Sequence, residues 1–246
     1  SSSVTGGTII FTQVPSSGLV VNEDQSYSLD ANIPLNNLTV TGKTAPSSRV
    51  ATLTLMVSPL SLNGSLTLTN SYSIFNSNDL NISLMGDLNN NGTYNYGTNL
   101  TTFNGGAQLI TGSSTSDFHD LDVLSLTTLT VSNSFTVGRN LTISNGDLVL
   151  GSNRVTVIGN FVNNGSYTDN NSSGGITLAG TTRQQVSGTG LFGLLDINNP
   201  EGARLNSDIN LRNNLVLSKG VLDINMYLLT LSQNSIISGA PFSDHK

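Results

Sequence analysis

The sequence contains no cysteine and no tryptophan, and charged residues make up only 10% of its 246 positions. The lack of cysteine excludes disulfides, thiolate metal sites and cysteine nucleophiles. The few charges are mostly acidic, with a formal net charge of −6. Binding to nucleic acid needs a basic surface that displaces counterions from phosphates, so this composition argues against it and against anionic membrane surfaces.

Long apolar runs are also missing, since no stretch approaches the roughly 20 residues that cross a bilayer as a helix. Hydrophobic residues nevertheless make up 36% of the chain and are spread evenly along it. Disordered proteins combine few apolar residues with a high net charge, and this sequence has neither property. We therefore expect a folded protein without membrane insertion.

The abundant residues are Asn, Ser, Thr and Gly, which separate short runs of alternating apolar and polar residues such as Leu141-Thr142-Ile143. Alternation with a period of two is typical of strands, and Asn and Gly favour tight turns. No stretch shows the 3.6-residue period of a helix. The sequence therefore predicts an all-β protein.

An imperfect repeat of about 74 residues runs through the sequence. The segment that begins at Leu66 returns at Leu141 and again at Leu215, at spacings of 75 and 74 residues. The repeat divides the sequence into a partial copy, two full copies and a second partial copy, which span residues 1–35, 36–120, 121–194 and 195–246. Self-similarity of this length is the signature of a repeat architecture.

Two architectures fit many short strands: a sandwich or barrel, and a parallel β-helix. One copy of the repeat divides into about three coils of roughly 25 residues, a plausible size for a solenoid. Inward Leu, Ile and Val of one coil would then stack on those of the next. We therefore predict one elongated β-solenoid, a single-stranded parallel β-helix, over residues 1–246.

Two groups of residues are candidates for ligand binding. Tyr94, Tyr96 and Phe103 offer aromatic faces of the kind that stack on sugar rings, although Tyr167 repeats the first of them, which favours a packing role. The second group is the one cluster of histidine and carboxylates, and it consists of Asp117, His119, Asp120 and Asp122. On a strand, Asp120 and Asp122 would share one face while His119 points to the other.

A third candidate is a calcium site. Asp87, Asn89 and Asn91 place oxygen ligands at alternate positions, as in the first half of a calcium loop. The glutamate that closes such a loop is missing, because Thr98 stands in its place. A turn stabilised by Asn side chains is the competing interpretation. We therefore predict no cofactor and no metal, with calcium at these three residues as the alternative.

The strings NLTISNGDLVLGSNRVTVIGNFVNNGSY and GARLNSDINLRNNLVLSKGVLDINMYLLTL resemble the repeats of very large surface proteins of Bacteroidota-type bacteria. Those proteins are typically exported by the type IX secretion system, and some act as adhesins in gliding or attachment. The resemblance extends over nearly the whole sequence, and its motifs are structural. It implies an extracellular, cell-surface location and export machinery as a partner of the parent protein. It further implies surface glycans or other cell-surface proteins as ligands.

These observations lead to three functional hypotheses. The first is a non-catalytic structural or adhesive segment, the stalk or body of a secreted bacterial cell-surface protein. The second is a glycan-binding module on a β-helix. The third is a polysaccharide lyase or hydrolase, which would need Asp clustered with Arg or Lys. The six arginines are scattered singly along the sequence, so we predict that the protein is not an enzyme.

Overall fold

The computed structural model describes residues 6–13, 23–45, 47–124, 126–170 and 173–239. Within these ranges the protein forms 30 β-strands and no helix, so it has no helix there that could span a membrane. It divides into two compact units, unit 1 (Ser1–His119) and unit 2 (Asp120–Lys246). The division lies one residue from the predicted boundary between the two full repeat copies. Parts of both partial copies lie outside the described residues.

Twelve strands belong to unit 1 within the described residues. They are β1 (Thr8–Thr12), β2 (Gln25–Leu29), β3 (Asn37–Thr41), β4 (Ala51–Leu55), β5 (Leu60–Leu62), β6 (Leu66–Leu68), β7 (Ser73–Asn76), β8 (Ile82–Leu84), β9 (Leu88–Asn90), β10 (Thr93–Asn95), β11 (Leu100–Phe103) and β12 (Ala107–Thr111). They form three sheets, in the orders β1-β3-β6-β9-β12, β2-β4-β7-β10 and β5-β8-β11. Paired strands are parallel, so each coil adds one strand to each sheet.

Eighteen strands belong to unit 2 within the described residues. They are β13 (Asp120–Val123), β14 (Thr128–Val131), β15 (Phe135–Val137), β16 (Leu141–Ile143), β17 (Asp147–Gly151), β18 (Arg154–Val157), β19 (Phe161–Asn163), β20 (Ser166–Asp169), β21 (Gly175–Leu178), β22 (Gln184–Ser187), β23 (Leu191–Phe192), β24 (Leu195–Asn198), β25 (Ala203–Leu205), β26 (Ile209–Leu211), β27 (Leu215–Lys219), β28 (Leu222–Asp223), β29 (Leu229–Leu231) and β30 (Ile237–Gly239).

The strands of unit 2 also form three parallel sheets. Their orders are β13-β16-β19-β22-β25-β28, β14-β17-β20-β23-β26-β29 and β15-β18-β21-β24-β27-β30. Each strand pairs with the strand three positions later in the chain, as β13 does with β16, which is the topology of a parallel β-helix. The prediction of an all-β solenoid is therefore confirmed. The prediction of a single continuous segment over residues 1–246 stays a prediction.

The core of each unit is a set of apolar columns. Alternate residues of each strand point inward, and equivalent residues of successive coils are in register. One column of unit 2 runs through Leu121, Leu141, Phe161, Val186 and Leu205, all of them buried. Fully burying each such residue stabilises the fold by about 1.5–3 kcal/mol. These columns are the main source of stability for a fold whose coils contact only their neighbours.

The sequence repeat is out of phase with the coils. Leu121 and Leu195 occupy equivalent positions of two copies, yet the first lies on β13 and the second on β24, in a different sheet of unit 2. The step from Leu121 to Leu195 covers three full coils and two further strands, so it is not a whole number of coils. Neighbours that stack on each other lie much closer in sequence, for example 20 residues apart for Leu121 and Leu141. Residues aligned by the repeat are therefore not stacking neighbours.

Candidate functional site

Polar side chains that recur between the two full copies make the same bonds in both units. The first is the residue that precedes β9 or β19. In unit 1, Asp87 Oδ1 accepts a hydrogen bond from the backbone N–H of Leu109 in the following coil, at 2.8 Å. In unit 2, Asn160 Oδ1 accepts one from the backbone N–H of Gln185, also at 2.8 Å. Aspartate and asparagine share an acceptor oxygen but not a charge, so this position requires the acceptor.

The second recurring residue follows the same two strands. Asn91 Oδ1 accepts a hydrogen bond from the backbone N–H of Ser113 at 2.9 Å. Asn164 Oδ1 accepts one from the backbone N–H of Thr189 at 3.2 Å. The partner lies 22 residues away in the first case and 25 in the second. The bond is thus retained although the two coils differ in length.

Between these positions lies a buried asparagine in each unit. Asn90 Nδ2 donates to the carbonyl of Thr115 at 2.9 Å, and Asn163 Nδ2 donates to the carbonyl of Leu191 at 3.0 Å. Each side-chain oxygen accepts from the backbone N–H of the glycine two residues on. An unpaired amide in an apolar core is unfavourable by roughly 2–7 kcal/mol, so these bonds are what permit asparagine at an inward position. They tie the turn that follows the strand to the next coil.

A glutamine is the fourth recurring residue, and it is also buried in each unit. Gln108 Nε2 donates to the carbonyls of Leu84, at 3.1 Å, and Gly86 in the preceding coil, while its Oε1 accepts from the N–H of Gly105 at 2.7 Å. Gln184 makes the same three bonds in unit 2. Its partners are Val157, Gly159 and Gly180. We call the bonds of Asp87, Asn91 and Gln108, and those of Asn160, Asn164 and Gln184, the coil clips.

The geometry of β9 contradicts the calcium alternative. Asp87 precedes this strand and Asn91 follows it, so their Cα atoms lie about 13 Å apart along an extended backbone. Calcium ligands must converge to about 2.3–2.6 Å from one ion. Asn89 lies between them on the outward face, where its Oδ1 accepts from Asn91 Nδ2 at 3.0 Å. The three side-chain oxygens accept hydrogen bonds from protein groups and do not converge on a common ion.

The proposed aromatic platform is also wrong. Tyr94 and Phe103 point into the core, with exposed fractions of 6% and 0%. The ring of Tyr94 stacks on Phe75 with centroids 5.8 Å apart, and its hydroxyl lies 3.0 Å from Thr101 Oγ1. Burial raises the pKa of Tyr94 to about 12. Tyr96 is half-buried beyond the end of β10. It cannot form a stacking platform with Tyr94 and Phe103, because those two rings are in the core.

Tyr167 has the packing role that its place in the repeat suggested. Its ring lies 5.8 Å from that of Phe161 and 6.1 Å from that of Phe192. Its hydroxyl donates to the carbonyl of Leu194 at 3.0 Å. Burial, with the negative charge of Asp169 as the second cause, raises the pKa of Tyr167 well above its ordinary value. Both tyrosines are therefore core residues that keep their hydroxyls satisfied.

The predicted cluster of histidine and carboxylates is divided between the units. Asp117 and His119 are half-buried residues at the end of unit 1. In unit 2, Asp120 Oδ1 accepts from the backbone N–H of Asn140 at 3.0 Å, and its other oxygen lies 3.3 Å from Arg139 Nη1. Asp120 thus forms a bond between coils, as the clips do. Throughout the described residues, no three His, Asp or Glu side chains are grouped so as to hold a metal.

Asp122 differs from the other carboxylates of that cluster. It lies on the outward side of β13, yet its Oδ1 is buried and accepts no hydrogen bond from any described residue. Burial raises the pKa of this carboxyl, and hydrogen bonds from Ser144 oppose the effect. Asp196, its equivalent in the repeat, also has a buried Oδ1 without a partner among the described residues.

A polar network that sequence reasoning missed lies on the β15-containing sheet of unit 2. Arg154 Nη1 lies 3.0 Å from Thr177 Oγ1 and 3.3 Å from Asp196 Oδ2, and the same guanidinium donates to the carbonyl of Ser173. The network joins β18, β21 and β24, which are three successive coils. Strand alternation places Arg154, Thr177 and Asp196 outward, but only the coil register brings them together.

An open depression of about 440 Å³ is also found in unit 2. It is lined by Arg183, Pro200, Glu201, Val221 and Asp223. Asp223 lies 3.8 Å from Arg183. A hydrogen bond from the backbone N–H of Asn225 is the main cause that lowers the pKa of Asp223. The residues are largely exposed, so the depression presents mixed charges at the surface without a desolvated reactive group.

The sequence matches no protein family and no curated protein, and the structure matches no solved structure.

Proposed function

We propose that this protein is a non-catalytic structural segment, the stalk or body of a secreted bacterial cell-surface protein. The coil clips are the observation that carries the proposal. A binding or catalytic site would be sought among the polar residues that recur between copies. In both units these residues form hydrogen bonds between coils instead. A repeat that maintains coil-to-coil bonds maintains spacing and resistance to unravelling.

The surface location rests on composition and resemblance. An Asn-, Ser- and Thr-rich sequence of low charge is similar to the repeats of large exported Bacteroidota-type proteins. Adhesion is then the work of other parts of the parent protein or of an outward face of these coils. Surface glycans and neighbouring cell-surface proteins are the partners that such a location offers.

A glycan-binding module remains the second candidate function, and one observation favours it. The depression at Arg183, Glu201 and Asp223 provides charged donors and acceptors that suit a hydroxyl-rich ligand. It lacks an aromatic wall, which sugar sites commonly use for stacking. The two candidates therefore differ in whether the folded protein binds saccharide by itself.

Single-molecule stretching of the folded protein between two handles tests the structural proposal. If coils are held one to the next, unit 2 should lengthen in steps of about 70 Å, the extended length of one coil of roughly 20 residues. The Gln184→Leu variant should lower the force of the step that involves its coil, and Gln185→Leu should not. Featureless extension at low force in the wild type would contradict a mechanical role.

A binding screen separates the two candidates. The folded protein is applied to a glycan array and to intact cells, alongside an Arg183→Ala variant. The structural proposal expects no saturable binding to any saccharide, and binding to cells, if any, that Arg183→Ala leaves unchanged. Saturable binding to a saccharide that Arg183→Ala abolishes would overturn it in favour of the glycan-binding module. An antibody against the protein should label intact cells of the source bacterium, and labelling only after lysis would contradict the surface location.

A further inference from the structure

Five Asn-Gly pairs, which are chemically vulnerable, occur in the sequence. They begin at Asn63, Asn91, Asn104, Asn145 and Asn164. Asparagine is a thermolabile residue, and glycine after it offers a backbone nitrogen unobstructed by a side chain. That nitrogen can attack Cγ, the amide carbon of the asparagine side chain. Whether it does so in a folded protein depends on how firmly both groups are held.

Four of the five glycine nitrogens are held by hydrogen bonds. Gly64 donates to the carbonyl of Asn36 at 3.0 Å, and Gly105 donates to Gln108 Oε1 at 2.7 Å. Gly92 and Gly165 each donate to the side chain of the asparagine two residues earlier, at 3.0 and 3.2 Å. Attack requires each of these bonds to break first.

Two of these pairs are held at the asparagine as well. Asn91 and Asn164 belong to the coil clips, in which their Oδ1 atoms accept from backbone N–H groups of the following coil. The amide of Asn91 also donates to Asn89. The clips therefore fasten the reacting Cγ atom in place. These two asparagines should be the best protected of the five.

The pair Asn145-Gly146 differs from the other four in its glycine nitrogen. Asn145 is exposed at the corner between β16 and β17, and its backbone has a φ of +72°. Among the hydrogen bonds of the described residues, none involves the Asn145 side chain or the Gly146 nitrogen. Gly146 is itself buried and its carbonyl accepts from the backbone N–H of Ser166 at 3.0 Å, but no hydrogen bond of its own nitrogen or of the Asn145 side chain has to break before attack.

We propose that Asn145 is the site at which the folded protein undergoes spontaneous deamidation. The Gly146 nitrogen bonds to Asn145 Cγ, the bond between Cγ and Nδ2 breaks, and ammonia leaves with the proton that Gly146 loses. The product is a cyclic imide between the two residues. Water then adds to either imide carbonyl and opens the ring to aspartate or to isoaspartate.

The corner accommodates aspartate, one of the two products, without a change of backbone conformation. Asparagine and aspartate both adopt positive φ more readily than other non-glycine residues. The new carboxylate lies next but one in sequence to Asp147, whose Oδ1 accepts from Ser166 in the following coil. Each conversion therefore adds a negative charge near an existing one on unit 2.

Peptide mapping by mass spectrometry after incubation in mildly alkaline buffer tests the proposal. Incubation in heavy-oxygen water labels each newly formed carboxylate. In the folded protein, Asn145 should convert about tenfold faster than Asn91 and Asn164, because each hydrogen bond that must break slows the reaction by a factor of roughly 2 to 10. In urea, all five sites should convert at similar rates.

Two variants sharpen the test. Gln108→Met removes one hydrogen-bond acceptor of the Gly105 N–H, so Asn104 should convert faster than in the wild type while Asn145 keeps its rate. Asn145→Ser should remove most of the label from the folded protein. Conversion of Asn145 no faster than that of Asn91 and Asn164 in the folded wild type would overturn the proposal. So would label that persists at the same total level in Asn145→Ser.

Discussion

The carboxylate of Asp87 accepts a hydrogen bond from the backbone N–H of Leu109 at 2.8 Å, across two successive coils of unit 1. Asn160 makes the same bond to Gln185 in unit 2. A calcium site loses affinity when a carboxylate ligand becomes a neutral amide, whereas a backbone N–H donates to either acceptor. The exchange of Asp87 for Asn160 between copies therefore indicates that this position accepts a hydrogen bond between coils.

Calcium should have no effect on the stability of the protein. We expect the thermal melting temperature to be the same with added calcium and with a chelator. Asp87→Asn should change the free energy of unfolding by less than about 0.5 kcal/mol because the acceptor remains, whereas Asp87→Ala should cost about 1.5–3 kcal/mol. A rise in melting temperature with calcium that Asp87→Asn abolishes would restore the metal interpretation.

Gln184→Leu should destabilise the protein strongly. The substitution removes the three clip bonds of Gln184 and takes these partners from the buried N–H of Gly180 and the part-buried carbonyl of Gly159. Each such group costs about 1–3 kcal/mol, so we expect a loss of about 3 kcal/mol in urea unfolding. Gln185→Leu is the matched control, since that side chain is half-buried beside it, and it should cost less than about 0.5 kcal/mol. Equal losses would refute the clip.

Alkaline pH should destabilise the protein through Tyr94. Its pKa in the folded state is about 12, above the ordinary value of 10.0, because burial disfavours the phenolate. The unfolded state therefore releases this proton first. The stability that depends on it is complete below pH 10 and is lost as pH rises toward 12. Tyr94→Phe should reduce that alkaline loss, at a cost of about 1 kcal/mol at neutral pH for the bond to Thr101.

The measurement is the free energy of unfolding in urea as a function of pH for both proteins. Tyr96→Phe, at a half-buried position, serves as the control and should leave the alkaline loss in place. An identical alkaline loss in Tyr94→Phe and in the wild type would show that Tyr94 does not contribute to it.

Leu126→Gly should stabilise unit 2, although it removes an apolar side chain. Leu126 has a φ of +68° and is 92% exposed, so it introduces strain and almost no packing. Left-handed backbone costs a non-glycine residue roughly 1–2 kcal/mol, and the added freedom of the unfolded state offsets part of the gain. We expect a net gain of up to about 1 kcal/mol in urea unfolding. Leu126→Ala keeps the strain and should give no gain.

The strand pattern of the sequence was sufficient to predict the all-β solenoid, because inward and outward residues alternate and apolar columns follow from it. The coil clips were not predictable in the same way. Their partners depend on coil length, and the step between copies is not a whole number of coils, so alignment of Leu121 with Leu195 places neither beside its stacking neighbour.

The packing role of Tyr94 follows from the same strand pattern. Tyr94 lies between Thr93 and Asn95 on a short strand whose two outer residues are exposed, so alternation alone places its ring inside. The sequence therefore favoured packing over the sugar-stacking alternative at this position. The environments of Asp122 and Arg154 were missed because each has its partner in another coil.

Hydrogen exchange of the Leu109 and Gln185 amides tests the central claim most directly. If the recurring polar residues fasten the coils, both amides are protected in the wild type, Asp87→Ala releases Leu109 alone, and Asn160→Ala releases Gln185 alone. Site-resolved exchange by nuclear magnetic resonance separates these outcomes from general destabilisation, which would speed exchange throughout the core. Unchanged protection of Leu109 in Asp87→Ala and of Gln185 in Asn160→Ala would contradict the account.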